Sequence, residues 1–424
     1  MNRSFMGALR GDRPRDVVRR STIMAVISFL SLIGLFGAQA LLSQIIKAYG
    51  TDAGTAGIAV NAATFGMALS ALLVAWFADR IDRKRGIWIC LLLLGIPTAL
   101  LYFTDHIAAF MALRVIQGLL MAAAFTPTLT YLSEHCPVMA LGGALAAFIT
   151  GNVASNLFGR LAAVTVAGAA GLHGTFIFFA VLNVICAGLA YVVIGPRDDH
   201  PPMRRGSPLD AWLRHLALPG LRAAFAIGFL ILFVFVGVFT NVNLYLVDGL
   251  GVPPMSLGLV YLVFAPAIVT TPLAASVVRK RGPRPTLIRS LAAALCGLLL
   301  TLAGVLPVVL LGLSIIGAAT FFAQAAATGY VSRAVARDQA QANGLYLSSY
   351  HLGGLIGAVV LGQVNMALGW QGTAAVIGLA MIVAIASTSR LETPRALKNA
   401  VWASPRTSSS GLGFRWLCPL PKGA

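Results

Sequence analysis

Apolar residues in this chain run in long, nearly unbroken stretches separated by short polar and basic breaks. A hydrocarbon layer about 30 Å thick is crossed by roughly 20 apolar residues in a helix. Windows of that size recur twelve times, at 22–46, 56–78, 86–104, 107–132, 139–166 and 174–195 in the first half. The second half gives 222–247, 255–278, 286–304, 306–332, 341–366 and 372–391. The pattern predicts an all-α polytopic membrane protein with twelve transmembrane helices. A cleavable leader is the rival reading of the start, where basic residues and an apolar run precede Ala38-Gln39-Ala40. The run is long for a leader, and eleven further apolar segments follow, so an uncleaved first helix is the better reading.

Composition supports this. Of 424 residues, 58% are hydrophobic and 10% charged, against roughly 25% charged in a soluble domain. With a mean hydropathy of +0.86, the chain cannot cover itself with the charged exterior a soluble globule needs. The net charge of +18 does not imply nucleic acid as a partner. Of 31 Lys and Arg, 28 lie in the terminal segments or in alternate breaks, the positive-inside pattern. The basic breaks are 1–20, 79–86, 196–222 and 279–289, whereas Asp52, Asp105 and Asp248 mark the other side. Both termini are thus expected in the cytoplasm.

The longest polar interruption divides six spans from six. The expected organisation is an N-terminal arm (1–21), a first six-helix bundle (22–195), a linker (196–221), a second bundle (222–392) and a disordered cytoplasmic tail (393–424). Two landmarks recur across the linker. The basic loop 79–86 returns at 279–286, and Tyr131-Leu132-Ser133 returns as Tyr330-Val331-Ser332. Two parallel six-helix repeats are a common plan of secondary transporters, whose substrate sits near the midplane between the halves.

The break after the second span reads Ala75-Trp76-Phe77-Ala78-Asp79-Arg80-Ile81-Asp82-Arg83-Lys84. It resembles the loop motif of the major facilitator superfamily, with Ala75 and Asp82 in place of two glycines. The resemblance implies that Asp79, Arg80, Arg83 and Lys84 form a conformational latch. For Arg83 and Lys84 a plain topology anchor stands equally open. In the fourth span, Arg114, Gln117 and Gly118 resemble a second motif of the superfamily. An Arg at that depth costs on the order of 2.5–3.5 kcal/mol, so it faces a polar cavity or partner, or else snorkels to the outer surface. The resemblance assigns it to coupling or substrate polarity.

The fifth span carries Gly151-Asn152-Val153-Ala154-Ser155-Asn156-Leu157-Phe158-Gly159-Arg160. It resembles the drug-antiporter motif without its proline. With Gly344 to Gly353 and Gly369-Trp370, it is more similar to bacterial inner-membrane efflux transporters of the YnfM type. Close helix packing is the alternative for Gly151 and Gly159. His351 lies well inside a span and could carry a proton, or be a neutral, hydrogen-bonded core residue. Asn152, Asn156, Asn241, Asn243, Gln324, Tyr346 and Tyr350 are cavity candidates or interhelical hydrogen bonds.

All thirteen Asp and Glu lie in loops or near helix ends, so no mid-membrane carboxylate offers itself as a proton carrier. The five cysteines are dispersed and show no metal spacing. There is no phosphate-binding GxxxxGK[ST] loop and no catalytic cluster. Neither a cofactor nor a metal is expected, and the chain is expected to act as a monomer. The resemblance implies a bacterial inner-membrane carrier that exports a small organic solute, coupled to protons. Uptake by symport is the alternative, and a membrane-embedded enzyme or receptor a more distant one. Two interior cations, Arg114 and Arg160, sit among Phe36, Phe235, Phe239, Asn241, Phe322, Gln324 and Tyr350. Neutral or weakly anionic amphipathic solutes should therefore be preferred over permanent cations.

Overall fold

The computed structural model describes residues 14–78, 82–136, 138–193, 207–253, 257–335 and 338–391. Within them the chain is helical, with no strand. The first half comprises α1 (Pro14–Ala40), α2 (Leu42–Tyr49), α3 (Ala53–Trp76), α4 (Arg83–Leu100), α5 (Ile107–His135) and α6 (Val138–Val193). A linker helix, α7 (Pro208–Ala217), leads into α8 (Pro219–Leu244). The eighth span is broken into α9 (Leu257–Val260), α10 (Ala265–Thr270) and α11 (Ala274–Arg281). Then follow α12 (Pro283–Leu300), α13 (Leu306–Ala334) and α14 (Gln339–Ser387).

Two of these helices are hairpins. At about 1.5 Å per residue, the 56 residues of α6 would reach far beyond a bilayer if straight. Gly171 (φ 73°, ψ 177°) turns the chain back, in a conformation that glycine adopts without a Cβ penalty. The reversal is visible in the packing, since the Gly159 carbonyl and the Phe179 ring both lie against Gly37. Gly369 (φ 64°, ψ −164°) does the same in α14. There Thr373 donates to Asn365 Oδ1 at 3.2 Å, a pair some 12 Å apart along a straight helix. The separate spans expected at 139–166/174–195 and 341–366/372–391 are the arms of these hairpins. Each expected loop is a single glycine corner. Among the described residues nine apolar stretches are long enough to cross a membrane. Two are hairpins, and α12 adds a further helix of 18 residues, consistent with twelve crossings.

Element lengths repeat across the linker. α1 and α8 have 27 and 26 residues, α4 and α12 have 18 each, and α5 and α13 have 29 each. Glycines seat one helix on the backbone of another in matching places. Gly151 and Gly159 press α6 onto the carbonyls of Ala25 and Ile33 in α1, and Gly353 and Gly357 press α14 onto those of Phe229 and Phe233 in α8. Without water to drive association, such close backbone approach is what holds membrane helices together. The structure thus supports the packing reading of Gly151 and Gly159. Away from the contacts, Phe65, Leu69 and Leu73 form an exposed stripe along α3, a surface suited to lipid.

Two departures from the expected elements have local causes. The linker is not wholly irregular, since Ser207 caps α7 by accepting from Leu209 N at 3.2 Å and Pro208 starts the helix. The eighth span is broken because Pro266 and Pro272 remove backbone donors inside it.

Candidate functional site

The halves meet along two seams. On one, Gln341 Nε2 of α14 donates to Ala75 O of α3 at 3.1 Å. Gly344 rests on Ala71 and Ala75 nearby, and Gly54 meets Met366 at the far end. On the other, Gly142 of α6 lies against Ala275 of α11, and Val164 lies against Gly258 of α9. Both seams touch at both ends.

The second seam contains the site. A helix repeats every 3.6 residues, so Gly142, Arg160 and Val164 share one face of the first arm of α6, with Asn156 beside it and Asn152 on its flank towards the α1-facing Gly159. That face looks across to the second half. All three polar residues are at least 96% buried, yet Asn152 Oδ1, both amide atoms of Asn156, and Nε and Nη1 of Arg160 have no hydrogen-bond partner. Each such orphan costs about 1–3 kcal/mol. A stripe of them on three successive turns is out of place in an inert core.

Arg160 joins the halves. Its Nη2 donates to Gln39 Oε1 of α1 at 2.7 Å. Gln39 Nε2 donates to Asn61 Oδ1 of α3 at 3.0 Å, and Asn61 Nδ2 donates to Gly57 O at 2.9 Å. From the second half, the Tyr261 and Phe264 rings lie 4.7 and 5.6 Å from the guanidinium carbon. Asn243 Nδ2 donates to the Tyr261 hydroxyl at 3.2 Å. Behind Phe264 stand Phe235, Phe239 and Phe321, with ring centroids 4.5–6.3 Å apart. Among the described residues no carboxylate pairs with Arg160.

Arg114 is different. Its Nε and Nη2 donate to Val60 O at 3.2 and 2.9 Å, Nη2 also reaches Leu35 O at 3.5 Å, and Nη1 donates to Gln117 Oε1 at 2.8 Å. Gln117 in turn donates to Thr98. Gly118 packs against the Ala63 carbonyl. All three residues tie α5 to its neighbours within the first half. Snorkelling to the outer surface is excluded by complete burial.

The second-half candidates fall into two groups. Asn241 Nδ2 bonds Gly237 O of its own helix at 2.8 Å. Tyr346 stacks on Tyr350 at 6.2 Å and accepts from Thr328 at 3.4 Å, and His351 lies edge-on to Tyr350 at 5.4 Å. Gln324 Oε1 and His351 Nδ1 are buried without a partner. Phe36, at 6% exposure, belongs to the core, and Phe322 packs beside it.

Of the expected latch, Asp79 and Arg80 lie outside the described residues, as does the side chain of Arg83. Lys84 points its Nζ at the Tyr191 ring of its own half, 5.4 Å from the centroid. A second tie is made by α7. Its Trp212 ring meets Trp76 at the end of α3 at 5.3 Å, and Arg214 pairs with Asp338 before α14 at 2.9 Å. Sequence reasoning did not assign Gln39, Asn61, Tyr261 or Phe264 to the site. Isolated amides inside apolar runs were the available signal, but nothing in their spacing pointed to Arg160.

The profile of the Major Facilitator Superfamily matches residues 24–339 and 260–414. The chain belongs to this superfamily of membrane transporters. It is 26% identical over 400 residues to the inner membrane transport protein YnfM of Escherichia coli, covering 89% of this chain and 94% of that protein. It is 24% identical over 358 residues to the uncharacterized MFS-type transporter YybF of Bacillus subtilis, covering 83% and 88%. A 161-residue stretch is 26% identical to the benzoate transport protein of Acinetobacter baylyi, over 34% of each chain. In fold, the human organic anion transporter MFSD10 (TETRAN) superposes with a TM-score of 0.71 at 17% identity, covering 89% of this chain and 100% of that one.

Proposed function

We propose that this protein exports a small organic solute across a bacterial inner membrane by alternating access, drawing on the proton gradient. The observation that carries the reading is the buried, unsatisfied polar stripe Asn152, Asn156 and Arg160, which winds along α6 to the point where Arg160 meets the second half. Rocking the halves about that seam exposes the stripe to one side or the other in turn. One charge crossing 100 mV carries about 2.3 kcal/mol, enough to drive accumulation. The inner-membrane assignment rests on the likeness to YnfM, and both termini are placed in the cytoplasm by loop charge. The protein acts as a monomer in this reading. Asp79, Arg80, Arg83 and Lys84 close the cytoplasmic side, assisted by α7.

Transport by purified protein in proteoliposomes tests the proposal. A panel of labelled sugars, amino acids, organic acids and drugs is supplied under imposed gradients of either polarity. Export requires solute movement against its own gradient towards the face opposite the termini. Accumulation only in the other direction would make the protein an importer. Reporter fusions at residues 82, 205 and 400 should read as cytoplasmic and one at 250 as external. A cytoplasmic signal at 250 defeats the topology.

A further inference from the structure

The hydrogen bonds around Arg160 run one way. The guanidinium donates to Gln39, Gln39 to Asn61, and Asn61 to the Gly57 carbonyl. Asn61 fixes which end of the Gln39 amide faces the cation, so Arg160 meets a neutral oxygen and no counter-charge. A guanidinium has five N–H donors in a planar fork. Nε and both hydrogens of Nη1 are unused here. An ionised group in a low-dielectric interior without an opposite charge is strongly disfavoured. Tyr261 and Phe264 offset part of that through their ring faces. The missing component is an anion with planar acceptors, which a guanidinium fork binds best. Tyr261 and Phe264, the rings that flank the guanidinium, offer that anion a flat aromatic neighbour.

Resting on the export reading above, we propose that the transported solute is an aromatic monoanion whose charged group binds the free donors of Arg160. The loaded site is then neutral and the empty site carries one positive charge. Arg114 offers the solute no second binding group, because its donors are engaged by backbone carbonyls and Gln117 within the first half. As the seam opens alternately to each side, only the empty site moves charge through the membrane field. A potential negative inside draws the empty, cationic site inward, so loaded sites return outward. Export is therefore driven by the electrical part of the proton gradient, and no mid-membrane carboxylate is needed to carry a proton.

The test uses purified full-length protein in proteoliposomes with a potassium diffusion potential of either sign. The probes are benzenesulfonate and benzoate as anions, and benzyltrimethylammonium, which keeps the ring and reverses the charge. Benzenesulfonate stays ionised, so its flux needs no proton. Its uptake should rise when the lumen is made positive and should exceed that of the cation by about ten- to a hundredfold. Arg160→Gln removes the charge. Gln39→Glu leaves Arg160 in place and gives it an internal counter-ion. Both should abolish anion flux while keeping monodisperse elution and a wild-type melting temperature. Anion flux that ignores the potential, equal flux of the cation, or normal flux in a folded Arg160→Gln protein would each overturn the inference. Methanesulfonate, added as an aliphatic anion of the same charge, should be carried poorly, and its transport in preference to both aromatic anions would overturn the aromatic half. If a neutral or cationic solute is exported and neither anion moves, this inference fails alone. If no solute in the panel moves, the transport reading fails with it.

Discussion

Around Arg114, three nitrogens reach two backbone carbonyls and a glutamine. Around Arg160, in the same half and equally withdrawn from solvent, one nitrogen reaches Gln39 and the Tyr261 side chain lies against the guanidinium, while Nε and Nη1 have no partner. The first arginine is bonded only to elements of its own half, α1, α3 and α5. The second stands where the halves meet and has donors to spare. A cation whose donors are engaged holds helices together, whereas one left with free donors inside a seam is the one we propose takes a ligand. Burial alone does not distinguish the two situations. The partner list does.

Removing each arginine should therefore give effects of opposite kind. Arg114→Leu removes the bonds that tie α5 to the Val60 and Leu35 carbonyls, which keep their own helix bonds, and leaves Gln117 Oε1 without its donor, at about 1–3 kcal/mol. Melting in detergent should fall by an equivalent amount, with loss of monodisperse protein. An unchanged melting temperature would mean that Arg114 is not a structural tie. Arg160→Met relieves a desolvated charge of its burial, and its melting temperature should hold or rise while transport stops. A large drop there would put both arginines in one class.

The contrast can also be blurred through packing. Gly159→Ala sets a methyl against the Ile33 carbonyl, 2.7 Å from the position its Cβ would take. Overpacking of this kind costs about 1–3 kcal/mol. It should push α1 off α6 and stretch the Arg160–Gln39 bond, lowering transport before the protein unfolds. Transport unaffected at normal yield would show that the bond is dispensable. The smallest effect is expected outside the membrane. Arg214→Gln breaks an exposed ion pair with Asp338, worth less than about 1 kcal/mol. Melting should barely move, and a shift comparable to that of Gly159→Ala would make α7 a structural clamp.

Much of the fold was legible in the sequence. Apolar windows, alternating basic loops and landmarks repeated some 200 residues apart gave the helical membrane architecture. The glycine corners were legible only in part, because Gly171 and Gly369 look like ordinary loop residues between two windows. The capped helix α7 was hidden in a segment dominated by proline and charge. Of the site, Asn152, Asn156 and Arg160 could be picked out as polar residues in an apolar span. Their companions could not. Gln39 lies 121 residues from Arg160, and their meeting depends on the rotation of α1 against α6. That rotation is fixed by Gly151 and Gly159 seating on particular carbonyls, and mean hydropathy is blind to it. The same limit made Arg114 and Arg160 look alike.

The glycine corners also bear on how the chain tolerates changes in length. Residues added to the linker that precedes α7 lengthen a tether, and the entropy of a tether grows slowly with length. At Gly171 one residue does the whole work of the turn. A residue inserted beside it rotates everything downstream by about 100°. Phe179 would swing off Gly37, and the face that meets α1 would become another face. Lineages descending from this chain should accordingly vary in length between the halves and hold length constant at the two corners.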